Sequence, residues 1–199
     1  KKDNVFLQHH TFLRDKVVVM YSGNMGIAHD LQTILKGNSL VTSPKVYFVF
    51  VGGGKRRGEV EGWVAENQDL ATILPYQPIE TLSHSLSAGD IHLVSMREEY
   101  KGLLIPSKIF GILEIGRPVI YVGPEDSEIA HIIRRGQCGF VVANGDVEAY
   151  SQYVERLVSS ETMRVEMGEN ALSFAQREFS ASKLRKKLAE VVENVCERK

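Results

Sequence analysis

With 199 residues, 43% of them hydrophobic and 25% charged, the chain has material for one sizeable globular core. A net charge of −1 gives no electrostatic footprint for nucleic acid, and no apolar run reaches the ~18 residues that span a bilayer. The two cysteines, Cys138 and Cys196, are too few for a disulfide framework and lack metal-ligand spacing, so they read as the reduced thiols of a cytoplasmic protein.

The opening, "KKDNVFLQHHTFLRDK", is polar and irregular, so residues 1–16 are expected to be a linker. His9 and His10 have no carboxylate or cysteine nearby and read as part of it. Val17 to Tyr21, "VVVMY", is an apolar run of the kind found in strands covered on both faces, and it empties into "SGNMG". From Ile27 the apolar residues Leu31, Ile34 and Leu35 follow at helical spacing up to Gly37. Strand, Gly23-x-x-Gly26 loop and helix form half of a phosphate-binding geometry, because small residues let backbone N–H groups approach an anion.

The unit recurs. "KVYFVFV" (Lys45 to Val51) is a second buried strand, Gly52 to Gly54 its exit turn, and Val60, Trp63 and Val64 the stripe of the next helix. Lys55, Arg56 and Arg57 open that helix, where the dipole disfavours cations; they face water, or one of them meets a ligand phosphate. "ATIL" (Ala71 to Leu74) leads into "PYQPIE", after which Ile79, Leu82 and Leu86 mark a helix and "DIHLV" (Asp90 to Val94) a fourth strand. His84 and His92 lie on different elements and carry no expected chemistry.

"SMREEYKGLLI" follows as a long loop without clear period, and such loops in compact domains tend to be functional. It delivers Glu98 and Glu99 to a short helix announced by Pro106 and Ser107, whose hydroxyl is placed to cap it. Ile109, Phe110, Ile112 and Leu113 share one face of this helix, Gly116 and Pro118 end it, and Val119 to Val122 form the next strand. Lys108 sits at the end where a cation is disfavoured, so it reaches solvent or helps hold an anion. "GPEDSE", a helix from Ile129 to Arg135 and the strand "GFVVA" come next. The remainder is helical, with stripes at Val147, Tyr150, Val154 and Leu157, at Met163, Met167, Ala171 and Phe174, and at Leu184, Leu188, Val191 and Val195.

Six apolar strands alternating with helices predict an α/β fold: a doubly wound, parallel, Rossmann-like sheet with helices on both faces. Ligands then bind beyond the carboxyl ends of the strands where strand order reverses, between "SGNMG" and the loop ending in "PSK".

The ordered set "YSGNMGIAHDL", "FVFVGGG", "LSAGDIHLVSM", "PSKIFGILEIGRPVIYVG" and "GFVVANGD" resembles the C-terminal, donor-binding domain of GT-B-fold glycosyltransferases of family four, especially the bacterial polysaccharide-assembly branch. The resemblance runs from Val17 to the C-terminus. It implies one half of a GT-B fold over residues 17–178, a helix over 179–199 that crosses back to a separate N-terminal acceptor domain, and glycosyl transfer from a nucleotide-diphosphate sugar of the UDP type to a polysaccharide or lipid-linked acceptor. It implies no metal and no other cofactor, no nucleic-acid partner, and action in the cytoplasm at the inner membrane face, with peripheral membrane association of the longer enzyme.

By the same resemblance, Gly23, Asn24, Met25, Gly26, Ser107 and Lys108 hold the diphosphate, and Gly54, Arg56, Tyr76, Gln77 and Glu128 lie around the base and ribose. Two departures stand out. The family's Arg and Lys after the first strand are replaced by Asn24 with no nearby lysine, and its paired glutamates fall on Gly111 and Leu103. Lys108 is the candidate for the missing charge; Glu98, Glu99 or Glu128 is the candidate for the missing carboxylate, with Glu98 and Glu99 as candidate catalytic groups. A nucleotide-sugar epimerase half-domain and a non-catalytic nucleotide-sugar-binding module are the alternative readings. A Rossmann dehydrogenase is disfavoured, since no G-x-G-x-x-G follows the first strand.

Overall fold

The computed structural model of the chain describes residues 4–180 together with Lys183, Arg185 and Ala189. Six parallel strands form one sheet: β1 (Val17–Ser22), β2 (Val46–Val51), β3 (Ala71–Leu74), β4 (Ile91–Ser95), β5 (Val119–Val122) and β6 (Gly139–Val142). Their order is β3-β2-β1-β4-β5-β6, so winding reverses between β1 and β4. The register runs from Val17 opposite Val46 to Ser22 opposite Val51, which brings the exits of β1 and β2 side by side.

Alternation along each strand sends residues to two faces. Val19, Tyr21, Phe48 and Phe50 pack under α2 (Leu31–Asn38), α3 (Arg57–Glu66) and α7 (Val147–Ser159) through Ile34, Val60, Tyr150 and Val154. Val18, Met20 and Val49 face the other way, onto α1 (Val5–His9) and α4 (Leu82–Ala88), and Val119 and Tyr121 continue that layer onto α5 (Lys108–Glu114), α6 (Glu128–Gly136) and α8 (Glu161–Glu178). The doubly wound parallel sheet expected from the apolar runs is the observed one.

Two local expectations need correction. Residues 5–13 are not irregular: Asn4 Oδ1 accepts from Leu7 N at 3.2 Å to cap α1, and Phe6, Leu7 and Leu13 are buried on the sheet. A five-residue helix is too short to display a period, and packing stabilises it where propensity would not. The stripe Ile79, Leu82 and Leu86 does not face the core. Ile79 is 80% exposed, and α4 buries Ser85 and Ala88 instead. The closing helix expected over 179–199, with its stripe at Leu184, Leu188, Val191 and Val195, lies almost wholly outside the described residues; α8 itself ends at Glu178.

Candidate functional site

The exits of β1 and β2 continue their ladder past the sheet. Gly23 N donates to Val51 O (2.9 Å), Met25 N to Gly53 O (2.6 Å) and Arg56 N to Met25 O (2.9 Å). Gly23, Gly52 and Gly54 all have positive φ, at 129°, 129° and 136°. A Cβ on Gly52 would run into the Gly23 carbonyl, and one on Gly54 would lie 2.7 Å from the Met25 backbone, so glycine is required by contact as well as by conformation. Tyr21 is buried beneath this loop and donates its OH to Asn24 O at 2.9 Å.

The helix after the loop starts later than its apolar spacing suggests. It begins at Leu31, because Asp30 caps it, accepting from Thr33 N (3.1 Å) and Thr33 Oγ1 (2.6 Å) and from Asn144 Nδ2 (2.8 Å). Ile27 is 51% exposed. Residues 23–29 are therefore loop, held by Arg56 Nη1 on His29 O (2.6 Å) and by Arg97 N on Ala28 O (2.9 Å), and the start of α2 does not abut Gly23.

From the other side of the strand reversal comes α5. Ser107 precedes it in helical conformation and makes no capping bond through its side chain, contrary to the expectation for that residue. Lys108 does not extend into solvent. Its stem remains partly open while its Nζ is sealed beneath Gly23, 3.6 Å from the centroid of the Tyr21 ring, with no hydrogen-bond partner among the described residues. A Cβ added to Gly23 would stand 3.3 Å from Lys108 Cε. Burial without a carboxylate partner pulls the ammonium down to about 7 from 10.5.

Gly23, Asn24, Tyr76, Gln77, Ser107 and Lys108 line one cleft of about 610 Å3. Tyr76 is 58% exposed, its OH donating to Gly53 O (3.2 Å) and its ring lying over the Gly52–Gly53 backbone. Leu82, Leu86, Leu104 and Ile105 give the cleft an apolar wall. Met25 is buried below the loop, and Gly26 packs on the Asn24 amide. Gly54 and Arg56 stand behind the loop and support it; the Arg56 guanidinium is occupied by Glu59 (Nε to Oε1, 2.6 Å) and the His29 carbonyl. The cleft does not contain the candidate carboxylates. Glu98 and Glu99 border a separate depression of about 390 Å3 with Asp30, Thr33 and Asn144, where Glu99 pairs with Arg97 at 3.1 Å. Glu128 borders a third, which adjoins the cleft across Leu104 and Ile105.

His29 also lines the cleft, and nothing in its sequence context marks it. It is 8% exposed, its Nδ1 lies 2.6 Å from Ser95 O, and burial, aided by the Lys108 charge, pushes it down to about 4. His92 is likewise neutral at about 4, but it is a core residue of β4, with Nε2 donating to Leu86 O at 2.9 Å. Burial lifts the Cys138 thiol to about 12, which leaves it an inert core group. Among the described residues, no group of three or more His, Cys, Asp or Glu is placed to hold a metal ion, and no helix is long and apolar enough to cross a membrane.

A family model described as "Glycosyl transferases group 1" matches residues 16–160, most of the chain. The chain belongs to this family. It is 27% identical over 147 residues to a Pseudomonas aeruginosa protein named "Probable glycosyltransferase WbjE", covering 72% of this chain and 36% of the relative. It is 24% identical over 153 residues to the amylovoran biosynthesis glycosyltransferase AmsK of Erwinia amylovora, covering 75% and 37%. Among solved structures, Anabaena HepE in complex with UDP-glucose superposes with a TM-score of 0.80 at 14% identity, over 97% of this chain and 53% of that one. The chain thus spans just over a third of these two curated relatives and about half of HepE, whose likeness at this identity shows the fold. Family and fold both agree with the motif-based expectation.

Proposed function

We propose that this chain is the donor-binding part of a longer glycosyltransferase, that its cleft takes a nucleotide-diphosphate sugar of the UDP type, and that transfer goes to a polysaccharide or lipid-linked acceptor held by another part of the enzyme. The observation that carries the reading is Lys108 Nζ, buried beneath Gly23 without a hydrogen-bond partner among the described residues, at the point where strand order reverses. A buried amine with no carboxylate costs stability unless an anion uses it. HepE binds UDP-glucose on the same fold, and AmsK is named for amylovoran biosynthesis; both support this reading.

The roles follow from placement. Lys108, turned outward on its partly open stem, neutralises the charge that builds on the diphosphate as the glycosidic bond to it breaks. The Asn24 N–H, which no described group accepts, is available to a phosphate oxygen at the Gly23 loop. The exposed face of Tyr76 offers a stacking surface for the base beside Gln77. No metal enters this scheme, and the longer enzyme works on the cytoplasmic side of a membrane to which it attaches peripherally.

Calorimetric titration with UDP-glucose, GDP-mannose and NAD tests the reading. UDP-glucose binding that Lys108→Ala weakens by about 1–3 kcal/mol supports it, the range for a charge-assisted hydrogen bond. No binding of either sugar nucleotide refutes it.

A further inference from the structure

His29 and His92 form an instructive pair. Both are buried and neutral, and both spend one ring nitrogen on a backbone carbonyl. A carbonyl oxygen can only accept, so His29 Nδ1 carries the proton that reaches Ser95 O at 2.6 Å, and its Nε2 is left as a bare acceptor. In His92 the remaining nitrogen, Nδ1, is sealed in the core without a hydrogen-bond partner among the described residues. In His29 the remaining nitrogen belongs to a residue of the cleft wall, beside Lys108 and under the Gly23 loop.

We infer that His29 Nε2 is a specificity-determining acceptor that receives a hydrogen bond from a hydroxyl group of the bound ligand. The inference rests on the proposed donor reading. An unprotonated ring nitrogen repels the oxygens of a diphosphate, so beside the anion site it selects a ligand that brings an O–H to that position. A nucleotide sugar has two sources of such a group next to its diphosphate, the ribose and the hexose. The Ser95 carbonyl, delivered by the end of β4, fixes the tautomer; the Arg56 guanidinium, on the His29 carbonyl at 2.6 Å, fixes the backbone.

The test uses His29→Asn, whose amide can still donate to Ser95 O but has no group at the Nε2 position, and His29→Gln, whose longer amide carries an oxygen to that position. Titrations with UDP-glucose, UDP and 2′,3′-dideoxyuridine diphosphate give the arms. His29→Asn is expected to weaken UDP-glucose binding about tenfold, and His29→Gln to recover most of the loss. The same loss on UDP, absent on the dideoxy analogue, assigns the hydroxyl to the ribose; a loss confined to UDP-glucose assigns it to the hexose. Nitrogen-15 spectra of the wild-type imidazole give a readout independent of variant folding: Nε2 should move upfield on saturation with UDP-glucose while Nδ1 stays protonated. An unmoved Nε2 signal in the saturated protein, or unchanged affinity of a folded His29→Asn protein for both UDP and UDP-glucose, overturns the inference. Failure of the wild-type chain to bind any of the ligands refutes the donor reading itself, and this inference with it.

Discussion

Ligand binding at this cleft should take up a proton, and Lys108 should be its source of demand. In the empty protein the ammonium is held at about 7, with Tyr21, His29 and His92 as the titratable groups around it and no carboxylate among the groups that shift it. A diphosphate favours the charged form and returns the midpoint toward 10.5. At pH 8, roughly nine-tenths of the empty protein carries a neutral Lys108, so binding should absorb on the order of 0.9 proton, falling to about 0.1 at pH 6. The sign follows directly: affinity weakens as pH rises above about 7, approaching tenfold per unit until the bound midpoint is reached. UDP-glucose is the ligand of choice, since its doubly esterified diphosphate does not itself titrate near neutrality, unlike a terminal phosphate with its second pKa near ~6. Calorimetry at pH 8 in buffers of different ionisation enthalpy reads the proton count. Lys108→Met should abolish the uptake, and Lys108→Arg should bind without it. An uptake below about 0.2 proton at pH 8 in a wild-type protein that binds, or an undiminished uptake in Lys108→Met, would refute the reasoning.

The same lysine should destabilise the empty protein. A midpoint drop from 10.5 to about 7 corresponds to roughly 5 kcal/mol at 1.36 kcal/mol per unit, an upper bound because the stem can carry the charge outward. Lys108→Met should therefore raise Tm below pH 7, with the gain fading as pH climbs through 7 to 10.5; thermal melts across that range check it. His29 and His92 act in the same sense at lower pH: held near 4, they contribute stability above their unfolded value of 6.5 that is lost as pH falls from 6.5 through 4, roughly 3 kcal/mol each. Urea titrations from pH 7 to 4 should show the decline, and a flat profile would contradict it. Gly23→Val should lower stability, since a φ of 129° disfavours a branched side chain, and should weaken UDP-glucose binding as well, since its Cβ would press on the Lys108 stem at 3.3 Å; equal affinity in a folded variant would remove the loop from the site. Gly139→Ala should lower stability by about 1–3 kcal/mol, because its Cβ would collide with the Val119 carbonyl between β5 and β6, and chemical denaturation measures it.

The sheet was legible because each strand is an apolar run between glycine-rich exits, and the winding followed from strands alternating with helices. The cleft was legible at Gly23, Tyr76 and Lys108, since strand reversal places their loops together. The stripe at Ile79, Leu82 and Leu86 misled because a period reports that one face is apolar, without saying whether a core or a cleft lies against it. Asp30 was a readable cap signal, three residues before Thr33, that the apolar spacing from Ile27 overrode. His29 had no signal at all. Its tautomer depends on Ser95, 66 residues away in sequence, and such a contact exists only once β1 and β4 are neighbours. The burial of Lys108 Nζ was equally invisible, since the helix dipole argument treats the residue as if its side chain pointed away from the fold.

The interlocked exits of β1 and β2 also set where this site can change over evolutionary time. Gly23, Met25 and Arg56 hand hydrogen bonds back and forth between the two loops, and the glycines at 52 and 54 are shaped against the backbone opposite. An insertion in one loop would slip its register against the other, so neither can drift alone. The segments at 76–79 and 98–105 carry no such mutual ladder, and several of their side chains are exposed. Innovation in what the cleft accepts is thereby channelled to its rim, where a substitution alters the ligand's surroundings without unfastening the two loops that hold the cleft in place.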